Sequence, residues 1–389
     1  MRFRRCLHLF LEPREISWFD LTSLLDGGNG IKREQRWIAL APHLEEEVEV
    51  GRLESELLGS ISPMDWTDGD ALEPVQHEAI MRLLDAGLLL DEKESGVFAA
   101  RDKQMREGNW WGPAALMHRF GRWYDCDSVA SMEADGLTTA AGLCEKLGPP
   151  PPEMGRREDI AEHVVLPKSA GDFDAFLARR ATCRNFETDR PLPLADFSTL
   201  MHRVFAAQAR VEADGVAAFL KKNVPSGGGL HAMEAYLVVR HVGGLQAGLY
   251  HYDPVRHGID RLAQPMPDLD VFSRTALAGQ HWFAEAPVLV VLVARYSRMY
   301  WKYRRHSKAY RALILDAGHL SQLLYLCATE AGMGAFVTSA INEVDIERGF
   351  GLDPLLEGPL AICGFGYRAS AMNTAEFDPN GTVWEAAVD

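Results

Sequence analysis

The most regular hydrophobic pattern in the chain runs from 309 to 331. Leu313, Ala317, Leu320, Leu324, Cys327 and Ala331 are spaced four, three, four, three, four, which draws one continuous apolar stripe along a helix that Gly332 stops. Similar spacing predicts helices over 171–181, 194–209 and 266–280. Alternation or short apolar runs predict strands over 235–240, 248–252, 287–294, 335–339 and 360–366. Helices and strands therefore alternate through the second half of the chain.

The first half mixes shorter signals. Pro74 suits the first turn of a helix, Val75, Ala79 and Leu83 follow helical spacing, and Gly87 ends the run. A strand-like Leu88-Leu89-Leu90 and a turn at Glu94-Ser95-Gly96 come next. Helix, glycine stop and hairpin together make a winged-helix-like pattern. The helix lacks the Lys/Arg stripe that groove binding requires, so a peptide- or partner-binding module fits better than a DNA reader. The aromatic-rich stretch at 109–127 is amphipathic, and most of its tryptophans are expected in a core. Between the halves, four consecutive prolines in Leu147–Asp159 exclude helix. The expected organisation is an N-terminal domain over 1–148, a linker over 149–157 and a second domain over 158–389.

Composition narrows the class. The 389 residues are 47% hydrophobic and 24% charged, as in an ordinary globular chain. Acidic residues outnumber basic ones by 55 to 40, a formal charge of −15, which argues against nucleic acid as the main partner. The apolar run 286–294 is too short to span a bilayer, and the N-terminus lacks the apolar core of a signal peptide. Six scattered cysteines without CxxC or zinc spacing read as reduced thiols of a cytoplasmic protein, and no metal site is expected.

Four stretches carry candidate chemistry. Pro225-Ser226 and three glycines, 227–229, stand directly before a predicted strand. Neither a P-loop nor a dinucleotide fingerprint fits, because the first needs Gly-Lys-Ser/Thr and the second needs a strand before the glycines, which 217–223 does not suggest. In Arg179–Phe186, Arg180, Thr182 and Arg184 alternate; two guanidiniums and a hydroxyl so close together suit either a phosphate or a solvated basic turn. Gly248–Pro254, GLYHYDP, reads as a hairpin strand with a structural role. Met299–His319 packs basic residues around four aromatics, and the adjacent Lys302 and Tyr303 suit proton transfer if a low-dielectric pocket lowers the lysine, or a basic surface loop if not.

In combination, RxTxRxF, PSGGGLHAME, GLYHYDP, Lys-Tyr with DAGHxxQ, AGMG, GLD and a terminal GFGYR resemble the SagB-type dehydrogenases, the azoline oxidase branch of the FMN-dependent nitroreductase superfamily. The resemblance covers about 165–368, and the chain looks most similar to members called peptide maturation dehydrogenases.

That resemblance implies an α+β sandwich with a mixed sheet, built as a homodimer with FMN at the interface. Arg180, Thr182 and Arg184 would hold the phosphate and ribityl chain, and Arg368 would add a phosphate contact. Pro225, Ser226, Gly227 and Gly228 would approach the ring, with backbone N–H groups freed by the bend bonding its polar edge. Ser339 lies in a stretch where relatives carry glycines near flavin N5. Lys302 and Tyr303 would manage the proton as a thiazoline or oxazoline in a precursor peptide is oxidised to an azole, with electrons passing to oxygen. A cyclodehydratase is the implied partner. Other FMN-dependent peptide dehydrogenation, NAD(P)H nitroreduction and a non-catalytic scaffold are the alternatives. His231 and Ala232 replace a usual Tyr-Pro, so the pocket wall differs.

Overall fold

The computed structural model describes residues 1–69, 73–93 and 95–384. Contacts gather the chain into two units. The first holds Met1–Arg122, Tyr296–Tyr310 and Pro354–Leu356; the second holds Trp123–Arg295, Arg311–Asp353 and the residues from Glu357 onward. The break expected at the proline run is thus preceded by a segment that already belongs to the second unit. The reason is local bonding. The Trp123 N–H donates to Glu343 at 2.8 Å, the Cys126 N–H donates to Asn342 Oδ1 at 3.0 Å, and Asn342 Nδ2 returns a bond to the Cys126 carbonyl at 2.9 Å.

The first unit is built on two small antiparallel sheets. Strand β1 (Arg2–Arg5) is followed by a long hairpin of β2 (Phe10–Phe19) and β3 (Ile31–Leu40), and then by β4 (Val48–Val50), β5 (Thr67–Asp68) and β6 (Leu89–Asp91). The orders are β5-β1-β6 and β2-β3-β4. The hairpin is paired residue for residue from Phe10↔Leu40 to Phe19↔Ile31 and is laced with ion pairs such as Lys32–Asp20 and Arg36–Glu49. Its closed end carries a short helix, Leu21–Leu25, and leaves Trp18, Phe19, Leu21, Leu24, Leu25 and Ile31 exposed.

The helix expected near 74 spans Pro74–Asp85 with Pro74 in its first turn. Its buried stripe is Ile80 and Leu83, whereas Val75 is exposed. Gly87 stops it with φ +73°, and a Cβ there would sit 2.6 Å from the Phe98 ring. The hairpin expected next does not form. Strand β6 pairs instead with the N-terminal strand β1, and the chain enters a helix at Val97–Glu107; Glu94 of the expected turn lies outside the described residues. Trp110 is buried as expected, with Tyr296, Tyr300 and His118 around it, while Trp123 is exposed. His118 is neutral: burial pushes it down to about 3, Nε2 donates to the Pro354 carbonyl at 2.9 Å, and Nδ1 accepts from Tyr296 at 3.1 Å.

In the second unit a hairpin of β7 (Ala209–Ala213) and β8 (Ala217–Lys221) precedes a six-stranded sheet. Its strands are β9 (Met233–Val239), β10 (Gly248–Asp253), β11 (Gly258–Arg261), β12 (Val288–Arg295), β13 (Gly334–Thr338) and β14 (Glu357–Gly366), ordered β11-β10-β9-β12-β14-β13. Every ladder is antiparallel; the parallel component among the described residues is two isolated bridges, Thr182↔Ala335 at the β13 edge and Leu192↔Val242 just beyond β9. Strand β12 is paired on both sides, and Val288–Ala294 are all buried, which is why it reads as an unbroken apolar run. The core joins Val238, Leu289, Val291, Phe336 and Ile362 of the sheet to Phe272, Phe283 and Ile346 of helices Leu269–Ala276, His281–Ala284 and Glu343–Phe350. The predicted stripe on the helix Ala309–Glu330 is buried at Leu313, Ala317, Leu320 and Leu324; Ile314 and Leu315 on another face are exposed. This helix is long and apolar enough to cross a membrane by length and composition, but half of its most apolar stretch is buried in the protein.

Candidate functional site

The Arg180 loop follows the helix Asp172–Ala178. Thr182 bridges Ala335 of β13 and the Cys183 N–H donates to the Ala335 carbonyl at 2.9 Å, while Phe186 bridges Arg368 beyond β14. Extended backbone alternates its side chains. Ala181 and Cys183 point into the core, while Arg180, Thr182 and Arg184 are half-exposed. The approach to β13 is close: a Cβ on Gly334 would lie 2.5 Å from Cys183. Thr182 and Tyr325 share a hydroxyl hydrogen bond of 3.0 Å, and the Val337 N–H donates to the same tyrosine oxygen at 3.2 Å. The Arg180 guanidinium lies 5.3 Å from the Tyr325 ring centre and has no hydrogen-bonding or ion-pair partner among the described residues.

The other two arginines are already engaged. Arg184 donates to the Ala375 carbonyl at 3.3 Å. Arg368 donates to the Ala181 carbonyl at 2.9 Å and pairs with Glu376. The Glu376 carboxylate also accepts from the N–H of Arg184 at 2.6 Å, the N–H of Asn185 at 3.1 Å, Asn185 Nδ2 at 2.9 Å and Trp384 Nε1 at 2.8 Å. Burial works to raise this carboxyl, but the donors outweigh it and hold it below its usual range.

The glycine turn connects the β7–β8 hairpin to β9. The structure makes 217–221 a strand, contrary to the sequence reading, but it belongs to the small hairpin and not to the sheet. Gly228 has φ 63° and ψ 17°, and Gly229 has φ +69°. Such left-handed backbone favours glycine, so the bend itself accounts for two of the three. Both residues are exposed, and a Cβ at Gly229 would meet nothing within 4 Å.

The bend does not free its N–H groups for a ligand, as the sequence reading expected. Gly227 donates to Asp316 Oδ1 at 3.0 Å, Gly229 to the Ser226 carbonyl at 2.9 Å, Leu230 to the Gly227 carbonyl at 3.3 Å and His231 to Ser226 Oγ at 2.9 Å. The Ser226 hydroxyl donates to Asp316 Oδ2 at 2.6 Å. Asp316 is buried on the long helix, and burial raises its carboxyl despite these bonds.

Ser339 is exposed just beyond β13. Lys302 is exposed at the end of the helix Tyr296–Lys302 in the first unit, with its ammonium 5.5 Å from the Tyr303 ring centre. GLYHYDP has the structural role expected of it. Tyr250 donates to the Gln246 carbonyl at 2.6 Å, Tyr252 bonds His257 at 2.7 Å, and Asp253 Oδ1 accepts from the Val255 and Arg256 N–H groups at 2.8 and 2.9 Å. His251 Nε2 meets Glu234 at 2.8 Å, a bond that raises the imidazole. Burial works to raise Glu234, yet His251 and Arg295 hold it below its usual range. Sequence reasoning also missed Lys222, a buried amine just before the glycine turn that burial pushes down to about 8. A cavity of about 490 Å³ lined by Arg240, His241 and Asp268 lies beyond the far end of β9 and contains no predicted site residue.

Comparison with known proteins places this chain in a family. The nitroreductase family profile matches residues 177–367. A protein of Methanocaldococcus jannaschii named as a nitroreductase is 33% identical over 174 residues, 44% of this chain and 80% of that protein. The trifolitoxin-processing protein TfxB of Rhizobium leguminosarum bv. trifolii is 28% identical over 177 residues, and the match spans 47% of its length. Among solved structures, the E. coli microcin synthetase McbBCD complex with truncated pro-MccB17 bound has a chain that superposes with a TM-score of 0.52 at 19% identity, covering 72% of this chain and 100% of that one. That likeness is one of fold. Sequence match, α+β architecture and shared fold lead to one conclusion: the chain belongs to the nitroreductase family.

Proposed function

We propose that the protein is an FMN-dependent dehydrogenase of the SagB type, oxidising thiazoline or oxazoline rings to azoles in a ribosomally made precursor peptide. The observation that carries the reading is Arg180. Its guanidinium is stacked on Tyr325 beside the Thr182 hydroxyl and has no ionic or hydrogen-bonding partner among the described residues. A guanidinium pre-set in this way suits a phosphate. The glycine turn supplies the other half of the fit, an exposed stretch of backbone without side chains at 228 and 229. The relationship to a trifolitoxin-processing protein supports a peptide substrate, and the microcin synthetase chain of like fold belongs to a complex holding a pro-peptide.

On this reading Arg180 binds the phosphate, with Thr182 and Arg184 beside the ribityl chain. Pro225, Ser226, Gly227 and Gly228 would approach the ring, with Ser339 beside it. Arg368 acts through Glu376, by holding the loop. FMN, when bound, supplies the hydride acceptor and passes the electrons to oxygen. Lys302 and Tyr303 would manage the proton that leaves the substrate; Lys302 is exposed, so the bound peptide must itself supply the low-dielectric surroundings in which an amine accepts a proton. A second copy of the chain and a cyclodehydratase are the implied partners.

The test is direct. The purified protein is expected to carry releasable FMN and to remove two hydrogens from each azoline of a heterocyclised precursor in air, read by mass spectrometry. The relative named as a nitroreductase favours one competing outcome, NAD(P)H oxidation with a nitroaromatic and an unchanged precursor. Colourless protein that cannot be reconstituted with FMN would remove both readings.

A further inference from the structure

Asp316 stands 90 residues from the glycine turn in sequence and holds it from the long helix. Its side chain is 4% exposed. Both carboxylate oxygens are spent on the turn, one on the Ser226 hydroxyl and one on the Gly227 N–H. Ser226 Oγ accepts in turn from the His231 N–H at 2.9 Å. The helix is therefore tied to both ends of the segment 226–231. Within it Gly228, Gly229 and His231 all have positive φ, at 63°, 69° and 45°. Glycines give up the most conformational freedom on ordering, and a histidine at positive φ is strained. A segment of this kind keeps one shape only if something outside it imposes that shape.

We infer that Asp316 is the positioning residue of the turn. It fixes the backbone surface on which a planar ligand lies, and it uses up the Ser226 O–H and Gly227 N–H, leaving that surface to recognise its ligand by shape. The N–H groups of Gly229, Leu230 and His231 are satisfied inside the turn, so the same holds along its length. The ligand class is a flat, fused aromatic ring system. The inference rests on the flavin reading for the identity of that ring, but not for the anchor.

The experiment compares Asp316→Ala, Asp316→Asn and Ser226→Ala with the full-length parent. Amide hydrogen exchange is followed without flavin, and FMN affinity is measured by titration. Loss of the anchor is expected to speed exchange at Gly227 and His231 about tenfold or more and to weaken FMN about tenfold or more, as for one or two lost hydrogen bonds. Asp316→Asn keeps an acceptor for Gly227 and falls between the two; if Asp316→Ala does not fold, it and Ser226→Ala decide the matter. Adding Ser226→Ala to Asp316→Asn should cost less than the sum of the two, because both act on one contact. An FMN affinity that falls while the melting temperature holds separates positioning from general stability. Unchanged exchange at Gly227 and His231, or strictly additive effects, would overturn the anchor. A parent protein that binds no FMN, with exchange still responding, would leave the anchor standing and remove the flavin.

Discussion

Arg368 and Glu376 form an ion pair in which the carboxylate is wholly removed from solvent. The same carboxylate collects two backbone N–H groups from Arg184 and Asn185, so the segment after β14 closes over the loop that carries Arg180. Breaking a buried pair by deleting one partner leaves the other charge uncompensated, at about 3–5 kcal/mol. Glu376→Ala is expected to lose stability on that scale in urea unfolding. Glu376→Gln keeps an acceptor for the N–H groups and loses less. A Glu376→Ala midpoint equal to the parent's would show that the pair does not hold the loop.

The three arginines of the site should separate by readout. Arg180→Ala is expected to weaken FMN by about tenfold to a hundredfold, the loss of a charge-assisted contact, with little change in stability. Arg368→Ala is expected to do the reverse at first order, because its guanidinium is already engaged by Glu376 and the Ala181 carbonyl. Fluorescence titration of FMN against each variant, beside its unfolding curve, checks both. Undiminished flavin occupancy in Arg180→Ala would discredit the phosphate assignment.

Lys302→Ala is expected to keep FMN and to lower dehydrogenation by about a hundredfold to ten-thousandfold, the usual span for a missing general base. Lys302→Arg should not restore it, since a guanidinium does not give up its proton. Single-turnover oxidation of a heterocyclised precursor measures the step. A fully active Lys302→Ala enzyme would leave the proton to another group.

The His251–Glu234 pair gives stability a pH signature. The imidazole is raised above 6.5 in the folded protein, so its contribution is complete below that value and is lost as pH rises through the folded one. Glu234 is held below 4.5, so its contribution is present above that value and is lost as pH falls through the folded one. The groups facing them are Lys222, Tyr236 of β9, Asp260 of β11, Arg295 of β12 and Glu357 of β14. Because Glu357 is itself raised, the comparison belongs in a Glu357→Gln background. There, His251→Gln should flatten the decline on the alkaline side of 6.5 in unfolding midpoints taken across pH. Parallel curves with and without His251 would dismiss the pair as a source of stability.

Much of the second unit was legible because its strands are either continuous apolar runs or clean alternations. The predicted strand over 287–294 emerged as Val288–Arg295, and 335–339 as Gly334–Thr338. The β7–β8 hairpin escaped because its residues barely alternate, although Asp214-Gly215, both at positive φ, is the turn signal that would have found it. In the Pro74 helix the expected Leu83 is buried, but its partner in the core is Ile80, and Val75 at the start of the expected stripe is exposed. Within the site, Arg180 and the glycines are local motifs. Asp316 heads the DAGHxxQ motif, but nothing local says what it holds, and Tyr325 and Glu376 belong to no motif: the three stand 90, 143 and 192 residues from the groups they hold.

The closed end of the β2–β3 hairpin bears on how the protein behaves in a tube. Its exposed Trp18, Phe19, Leu21, Leu24, Leu25 and Ile31 form a sticky tip on a molecule of charge −15. In dilute buffer, mutual repulsion keeps those tips apart. Added salt shortens the reach of that repulsion to about 10 Å at about 0.1 M and leaves the tip untouched. Colloidal stability should therefore fall as ionic strength rises, and substituting polar residues at Phe19 and Leu25 should restore it.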